Sequence, residues 1–170
     1  MKSFGFGNEE AFLNWMAFWF AIHDLGKFSE AFQSQRADLF SLMRGHEPNA
    51  TKPYRVLHDT LGLLVWNDVV AELVINAESY GANTEDYLDG ANAWARAVTG
   101  HHGQPPEEVG YWGQHFDVTY DGEAIREFVI AMKGQFLGQA RIAIAAEPFW
   151  RSSQRMSWWI AGLTFAPIPW

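Results

Sequence analysis

Ile22-His23-Asp24-Leu25-Gly26-Lys27-Phe28 ends a very apolar segment with an imidazole and a carboxylate side by side. Both groups are ligands for divalent cations of the zinc, iron, nickel or manganese kind. A carboxylate can also bridge two ions, and Lys27 adds a positive charge that can face a phosphate. Taken alone, a His-Asp pair has a plainer reading, as a cap partner beside a surface charge. What shifts the balance is the rest of the chain. His58 follows, then the doublet His101-His102, each near apolar helical sequence.

Working outward, Phe12, Trp15, Met16 and Trp19 recur at helical spacing before the motif, and Phe18 and Phe20 widen the stripe. Asn8 is a candidate cap for this helix, with Glu9 and Glu10 in its first turn. Gly26 reads as its stop. His23 and Asp24 then lie at a helix C-terminus, where side chains project into a cleft and the dipole favours a cation. Ser29 caps a second helix through about Met43, with Phe32, Leu39, Phe40 and Met43 as its apolar face. Phe28 and Phe32 read as core rather than as substrate-stacking rings. Residues 45–53 form a loop that holds a solvated His46.

A third helix is expected from Tyr54 or Arg55 to Asn76, with Leu57, Leu61, Leu64, Val65 and Val69 facing the core. His58 sits one turn before Gly62, which is small enough to let another helix approach closely. On its own His58 is a satisfied core histidine; beside the flanking motifs it reads as a ligand. Asp59 reads as a surface or supporting acid. Residues 77–90 are polar and turn-rich, and a short helix over 91–99 leads into Gly100-His101-His102-Gly103. Two glycines there let the backbone turn tightly and present both imidazoles. Residues 107–122 form an aromatic loop with Tyr111, Trp112, His115, Phe116 and Tyr120, whose rings read as packing rather than as base-stacking platforms. A long helix over 123–146 carries Ile125, Phe128, Val129, Met132 and Phe136 on one face, and a last helix runs from Ser152 or Ser153 to Phe165. Nothing reads as a strand, so the fold class is all-α.

The order HD, then H, then HH resembles the HD metallohydrolase superfamily. The resemblance narrows over His23-Asp24-Leu25-Gly26-Lys27-Phe28-Ser29-Glu30-Ala31-Phe32-Gln33 and over Ala97-Val98-Thr99-Gly100-His101-His102-Gly103-Gln104-Pro105-Pro106. Both are similar to motifs of the HD nuclease domain in the CRISPR-associated nuclease-helicase, the DNA-degrading effector of type I CRISPR systems. Trp159-Ile160-Ala161-Gly162-Leu163-Thr164 resembles the start of the same family's last nuclease motif. This implies an HD-domain helical bundle that cleaves single-stranded DNA in antiviral defence. It implies one or two divalent ions (manganese, nickel, cobalt, iron or magnesium). Asp24 would bind or bridge the ions, with His23, His58, His101 and His102 as further ligands and Lys27 near the scissile phosphate. The implied partners are a helicase domain or the CRISPR surveillance complex.

Two departures stand against the family pattern. No histidine precedes His23, where the family has a ligand on an upstream helix, and no acid follows Thr164, where its final motif has an aspartate. The domain, taken as one unit over 1–170 without a helicase, therefore reads as shortened at both ends. The tryptophan-rich end, Trp158, Trp159 and Trp170, suggests exposed apolar surface and self-association. The site could hold one ion rather than two. A non-catalytic relative that binds the surveillance complex or a partner chain is the competing reading, and nucleotide phosphohydrolase action is a third.

Composition bounds these readings. At 170 residues with 48% hydrophobic content, the chain is long and apolar enough for one domain with a sizeable core. It has no cysteine, so a metal must sit on His, Asp or Glu. A net charge of −8 argues against a self-sufficient nucleic-acid binder. Ions and another domain must then help to hold a DNA strand. The apolar run before His23 is too short to span a bilayer and no secretory pattern precedes it, so a cytoplasmic location without membrane contact is expected.

Overall fold

The computed structural model describes residues 9–75, 84–100, 106, 107 and 109–137, except the side chain of residue 86. Among them the chain is helical and no strand occurs. The principal elements are α1 (Glu9–Ile22), α2 (Glu30–Gln33), α3 (Ala37–Arg44), α4 (His58–Val65), α5 (Ala71–Val74), α6 (Thr84–Thr99) and α7 (Tyr120–Met132). The expected all-α architecture is present.

Tryptophans make the centre. Trp15 and Trp19 of α1, Trp66 after α4 and Trp94 of α6 are all buried. Trp19 packs on Trp66 with ring centroids 4.9 Å apart and stacks on Trp94 at 6.1 Å, while Trp15 meets Trp19 and Trp94 edge-on. Such edge and offset contacts add to the area that each ring removes from water. Trp19 is one helical turn before His23, so this cluster is the floor beneath the HD motif. Two π turns, Trp66–Val70 and Lys133–Leu137, adjust the register of the helices around it. The first leaves Trp66 buried with its indole N–H donated to Asn92 Oδ1 at 2.8 Å. The second starts at Lys133, whose ammonium donates to the carbonyls of Leu73 and Val74 at the end of α5.

Several sequence expectations need correction. Helix α1 ends at Ile22, not at Gly26, and Leu25–Phe28 is a 3₁₀ turn. Gly26 does not have a positive φ; among the described residues only Gly45, which ends α3, does (74°). Gly26 is required for a different reason. A Cβ there would overlap the carbonyl of His58 and lie 2.8 Å from the Gly62 amide. Gly62 answers it: its own Cβ would sit 3.5 Å from Gly26 N and 3.3 Å from Thr99 Cγ2. The HD turn, α4 and the end of α6 thus meet at two glycines.

The helix expected over 29–43 is broken by the 3₁₀ turn Ser34–Arg36. Only Phe40 of its expected apolar face is fully buried; Leu39 and Met43 are exposed, as is Leu42 at 80%. The third helix starts at His58 rather than at 54 or 55, which leaves Leu57 exposed. Helix α6 starts at Thr84 and absorbs much of the stretch read as turn-rich, because its 16 residues segregate an apolar face despite Gly90. Helix α7 starts at Tyr120, one turn earlier than expected, and the loop before it contains a short 3₁₀ turn, Trp112–Gln114. The segment of the expected long helix beyond Leu137, the last helix, the expected Asn8 cap and the terminal tryptophans lie outside the described residues.

Replacing Gly26 with alanine is expected to destabilise the domain by about 3 kcal/mol or more, because backbone rather than a flexible side chain must move. Urea unfolding followed by tryptophan fluorescence measures this. An unchanged midpoint contradicts the close approach.

Candidate metal centre

The HD turn is held from both sides. Asp24 O accepts from Lys27 N at 2.9 Å, and Gly26 O accepts from Ser29 N at 3.2 Å and from Ser29 Oγ at 2.7 Å. The same hydroxyl accepts from Phe32 N at 3.1 Å and caps α2. Gln33 Nε2 donates to the carbonyls of Lys27 and Phe28. The turn is therefore fixed by its own sequence neighbours, and α4 docks on it through Gly26 and Gly62.

That docking brings His58 to Asp24. His23 Nε2 lies 3.1 Å from Asp24 Oδ2, and His58 Nε2 lies 3.4 Å from Asp24 Oδ1. The two imidazoles flank different oxygens of one carboxylate. Lys27 Nζ joins Oδ2 at 2.8 Å. The far side of each ring is also engaged. His23 Nδ1 donates to Phe20 O at 2.6 Å. His58 Nδ1 lies 3.4 Å from the Tyr54 hydroxyl, which accepts from His58 N at 3.1 Å. Phe32 stands edge-on to both Tyr54 and His58. It is a wall of the site, while Phe28 packs against Phe128.

Burial opposes the charge on Asp24, but hydrogen bonds from His23 and Lys27 outweigh it and hold the carboxyl well below the usual carboxylate range. Burial likewise works against a His23 imidazolium, yet its hydrogen bond to Asp24 raises its pKa above the ordinary value. Burial pushes the Tyr54 hydroxyl up, and the nearby Asp59 charge adds to this, so it stays protonated. Asp59 is not the surface group the sequence allowed. It is buried, and Thr60 N donates to its Oδ1.

Among the described residues, no three His, Asp or Glu side chains stand as a finished metal cage. The Asp24 carboxylate is in direct contact with His23 and Lys27 instead. The donor types, two imidazoles and a carboxylate, are ones that divalent ions take. Two ligands each about 2.1 Å from one ion, at octahedral to tetrahedral angles, stand about 3.0 to 3.4 Å apart. The two Nε2–Oδ separations, 3.1 and 3.4 Å, fall on that interval. An imidazole whose Nδ1–H is donated outward can offer Nε2 to a metal once that nitrogen gives up its proton, and Phe20 O fixes the His23 ring in that orientation while Nε2 now faces Asp24. His101 and His102 lie outside the described residues. Thr99, two residues before the doublet, packs against Gly62.

The family model described as "Cas3, HD domain" matches residues 2–166. The chain belongs to the Cas3 HD-domain family. Cas3 HD domains are HD-type nuclease domains of CRISPR systems, with nucleic acid as substrate and a helicase context, and HD domains in general depend on metal. No curated protein and no solved structure matches the chain. No helix among the described residues is long and apolar enough to cross a membrane.

The Cas3 HD fold here has a support that sequence reasoning missed. Asp121, in the stretch read as an aromatic loop, is fully buried and accepts from Glu30 N at 2.8 Å, Asp117 N at 2.7 Å and the Arg44 guanidinium. Arg44 is clamped between the Phe40 and Tyr120 rings and also donates to Gln33 Oε1. Glu30, equally buried, accepts from Asn49 N and pairs with Lys52 at 3.2 Å. These contacts tie the 45–53 loop and the start of α7 to the residues that follow the HD turn. The available signal was the motif itself, since Glu30 and Gln33 lie within the stretch quoted for the resemblance. Their partners, far along the chain, had no signal of their own. His46 is exposed, as expected.

Arg44→Met leaves the buried Asp121 carboxylate without its cation, held by two backbone amides alone, and is expected to cost about 3 kcal/mol. Arg36→Met, at the exposed Arg36–Asp38 pair, is expected to leave the unfolding midpoint where it is. Equal effects of the two substitutions contradict this assignment.

Proposed function

We propose that this domain hydrolyses phosphodiester bonds of single-stranded DNA with one or two divalent ions held at Asp24. The observation that carries the reading is the placement of His23 Nε2 and His58 Nε2 on the two oxygens of Asp24, at separations that suit shared coordination. Asp24 would contribute both oxygens, His23 and His58 one nitrogen each, and His101 and His102 further nitrogens. A bound ion supplies Lewis acidity, which acidifies a water and offsets the charge on the phosphodiester.

The chain's own residues set the conditions for that chemistry. Asp24 is kept ionised, as a ligand and bridging group must be. Phe20 O orients His23, and the Tyr54 hydroxyl, anchored on His58 N, orients His58. Lys27, 43% exposed in its side chain, carries a positive charge at the rim of the site. There it can meet a phosphate oxygen. The net charge of −8 makes such local positive charge necessary for holding a DNA strand. A helicase domain or the surveillance complex is the partner that would deliver the strand.

One observation favours a non-catalytic reading. Lys27 and His23 already neutralise Asp24 Oδ2, so that oxygen is satisfied without an ion. In that case the domain acts by binding a partner of the CRISPR machinery.

Cleavage of a labelled single strand across added manganese, nickel, cobalt and magnesium separates the two. The nuclease reading expects cutting with at least one metal and its loss in Asp24→Ala. Tyr54→Phe is expected to weaken metal binding about 10- to 100-fold by competitive titration, with cutting recovered at higher metal concentration. No cutting with any metal, alongside an intact fold, rejects the nuclease reading.

A further inference from the structure

A polar cavity lies on the stretch of chain that leads into His58. It has a volume of about 380 Å³ and is lined by Thr51, Lys52, Arg55, Gln114 and His115, with Pro53 and Gly113. Its walls are fastened to the residues that follow the HD turn. His115 O accepts from Ala31 N at 3.0 Å. Lys52 pairs with Glu30 and also donates to Phe116 O. The wall segment contains Tyr54, between Pro53 and Arg55, and the Tyr54 hydroxyl is on His58. The cavity and the candidate metal centre therefore share one rigid strip of chain.

Its charge is opposite to that of the protein. The chain has 20 Asp and Glu against 12 Lys and Arg, yet the lining holds two cations, an imidazole and an amide, and no carboxylate. Lys52 is committed to Glu30. Arg55 is exposed and, of the two cations in the lining, is the one that pairs with no carboxylate among the described residues, as is also true of Arg126 and Lys133 outside the cavity. Burial and the Lys52 charge lower the His115 pKa, so its ring is neutral near pH 7 and hydrogen-bonds rather than adds charge. A guanidinium with no carboxylate partner among the described residues, beside neutral donors, suits a single phosphodiester group and its sugar, since arginine presents paired donors to phosphate oxygens.

We propose that this cavity is a backbone subsite for the DNA strand, in which Arg55, with Gln114 and His115, holds a phosphodiester away from the scissile one. The proposal deepens the nuclease reading and rests on it for the identity of the strand. It also gives so acidic a domain a place where a strand meets donors without a carboxylate in the lining.

The test is fluorescence anisotropy of a labelled oligothymidylate of about ten nucleotides, titrated with the full chain in chelator so that binding is read without hydrolysis. Arg55→Glu is expected to weaken binding at least about tenfold, the value of one charge-assisted contact. Arg55→Gln is expected to flatten the salt dependence by about 0.7 in log–log slope, one phosphate's share for a single strand. Arg36→Glu makes the same charge change outside the cavity and is expected to stay within about twofold of wild type. Equal losses in Arg55→Glu and Arg36→Glu, or no binding by the wild type, overturn the subsite. Cleavage by a wild type whose affinity ignores Arg55 overturns the subsite alone. Binding through Arg55 without cleavage under any metal overturns the nuclease reading alone.

Discussion

The backbone approach of Gly26 to His58 and Gly62 governs the rest. A 3₁₀ turn and a helix that begins more than thirty residues later touch with no side chain between them. Any Cβ at Gly26 pushes α4 away. With α4 moves His58, and with His58 goes the only contact that puts a second imidazole on Asp24 among the described residues. The Trp15, Trp19, Trp66 and Trp94 cluster sets the floor under this contact, and Thr99 closes its other side. The hydrophobic core and the candidate metal centre are therefore not separate achievements of the sequence. The core positions α1, α4 and α6, and the two glycines convert that positioning into side-chain geometry.

Two aspartates show how environment divides roles. Asp121 and Asp24 both accept charge-assisted hydrogen bonds from a basic residue. Asp121 has no exposed surface and spends its oxygens on two backbone amides and a guanidinium locked between rings. It is saturated and can only support. Asp24 is partly open, with two imidazoles and a flexible lysine for neighbours. Lysine can leave a carboxylate at little cost where water replaces it, so Asp24 can exchange that partner for an ion. Both acids sit at the same turn, one as an anchor of the residues behind it and one on its open side.

The helical class and the HD motif were legible because they are local. Apolar spacing in 12–19 announces α1, and a His-Asp pair carries its chemistry with it. Gly62 was legible as a point of close approach for the same reason, since a small residue in an apolar helix face has few other uses. Gly26 was not: read along the chain it is a helix stop, and only the crossing with α4 shows what it is for. The start of α4 was misplaced because Tyr54 and Leu57 continue the apolar pattern, whereas Tyr54 folds back to bind His58 and Leu57 faces solvent. The Arg44–Asp121 and Lys52–Glu30 pairs were invisible because no local pattern tells a buried charge from a solvated one. The cavity at Arg55 joins two segments some sixty residues apart, which sequence spacing alone does not bring together.

The Gly26–Gly62 contact brings Asp24 and His58 together with His23, the arrangement proposed to hold a metal ion. Anomalous diffraction at the manganese edge from metal-soaked crystals tests it most directly. The account predicts a peak within coordination distance of an Asp24 oxygen and of His23 or His58 Nε2. Manganese found elsewhere, with Asp24 still closed on His23 and Lys27, contradicts it.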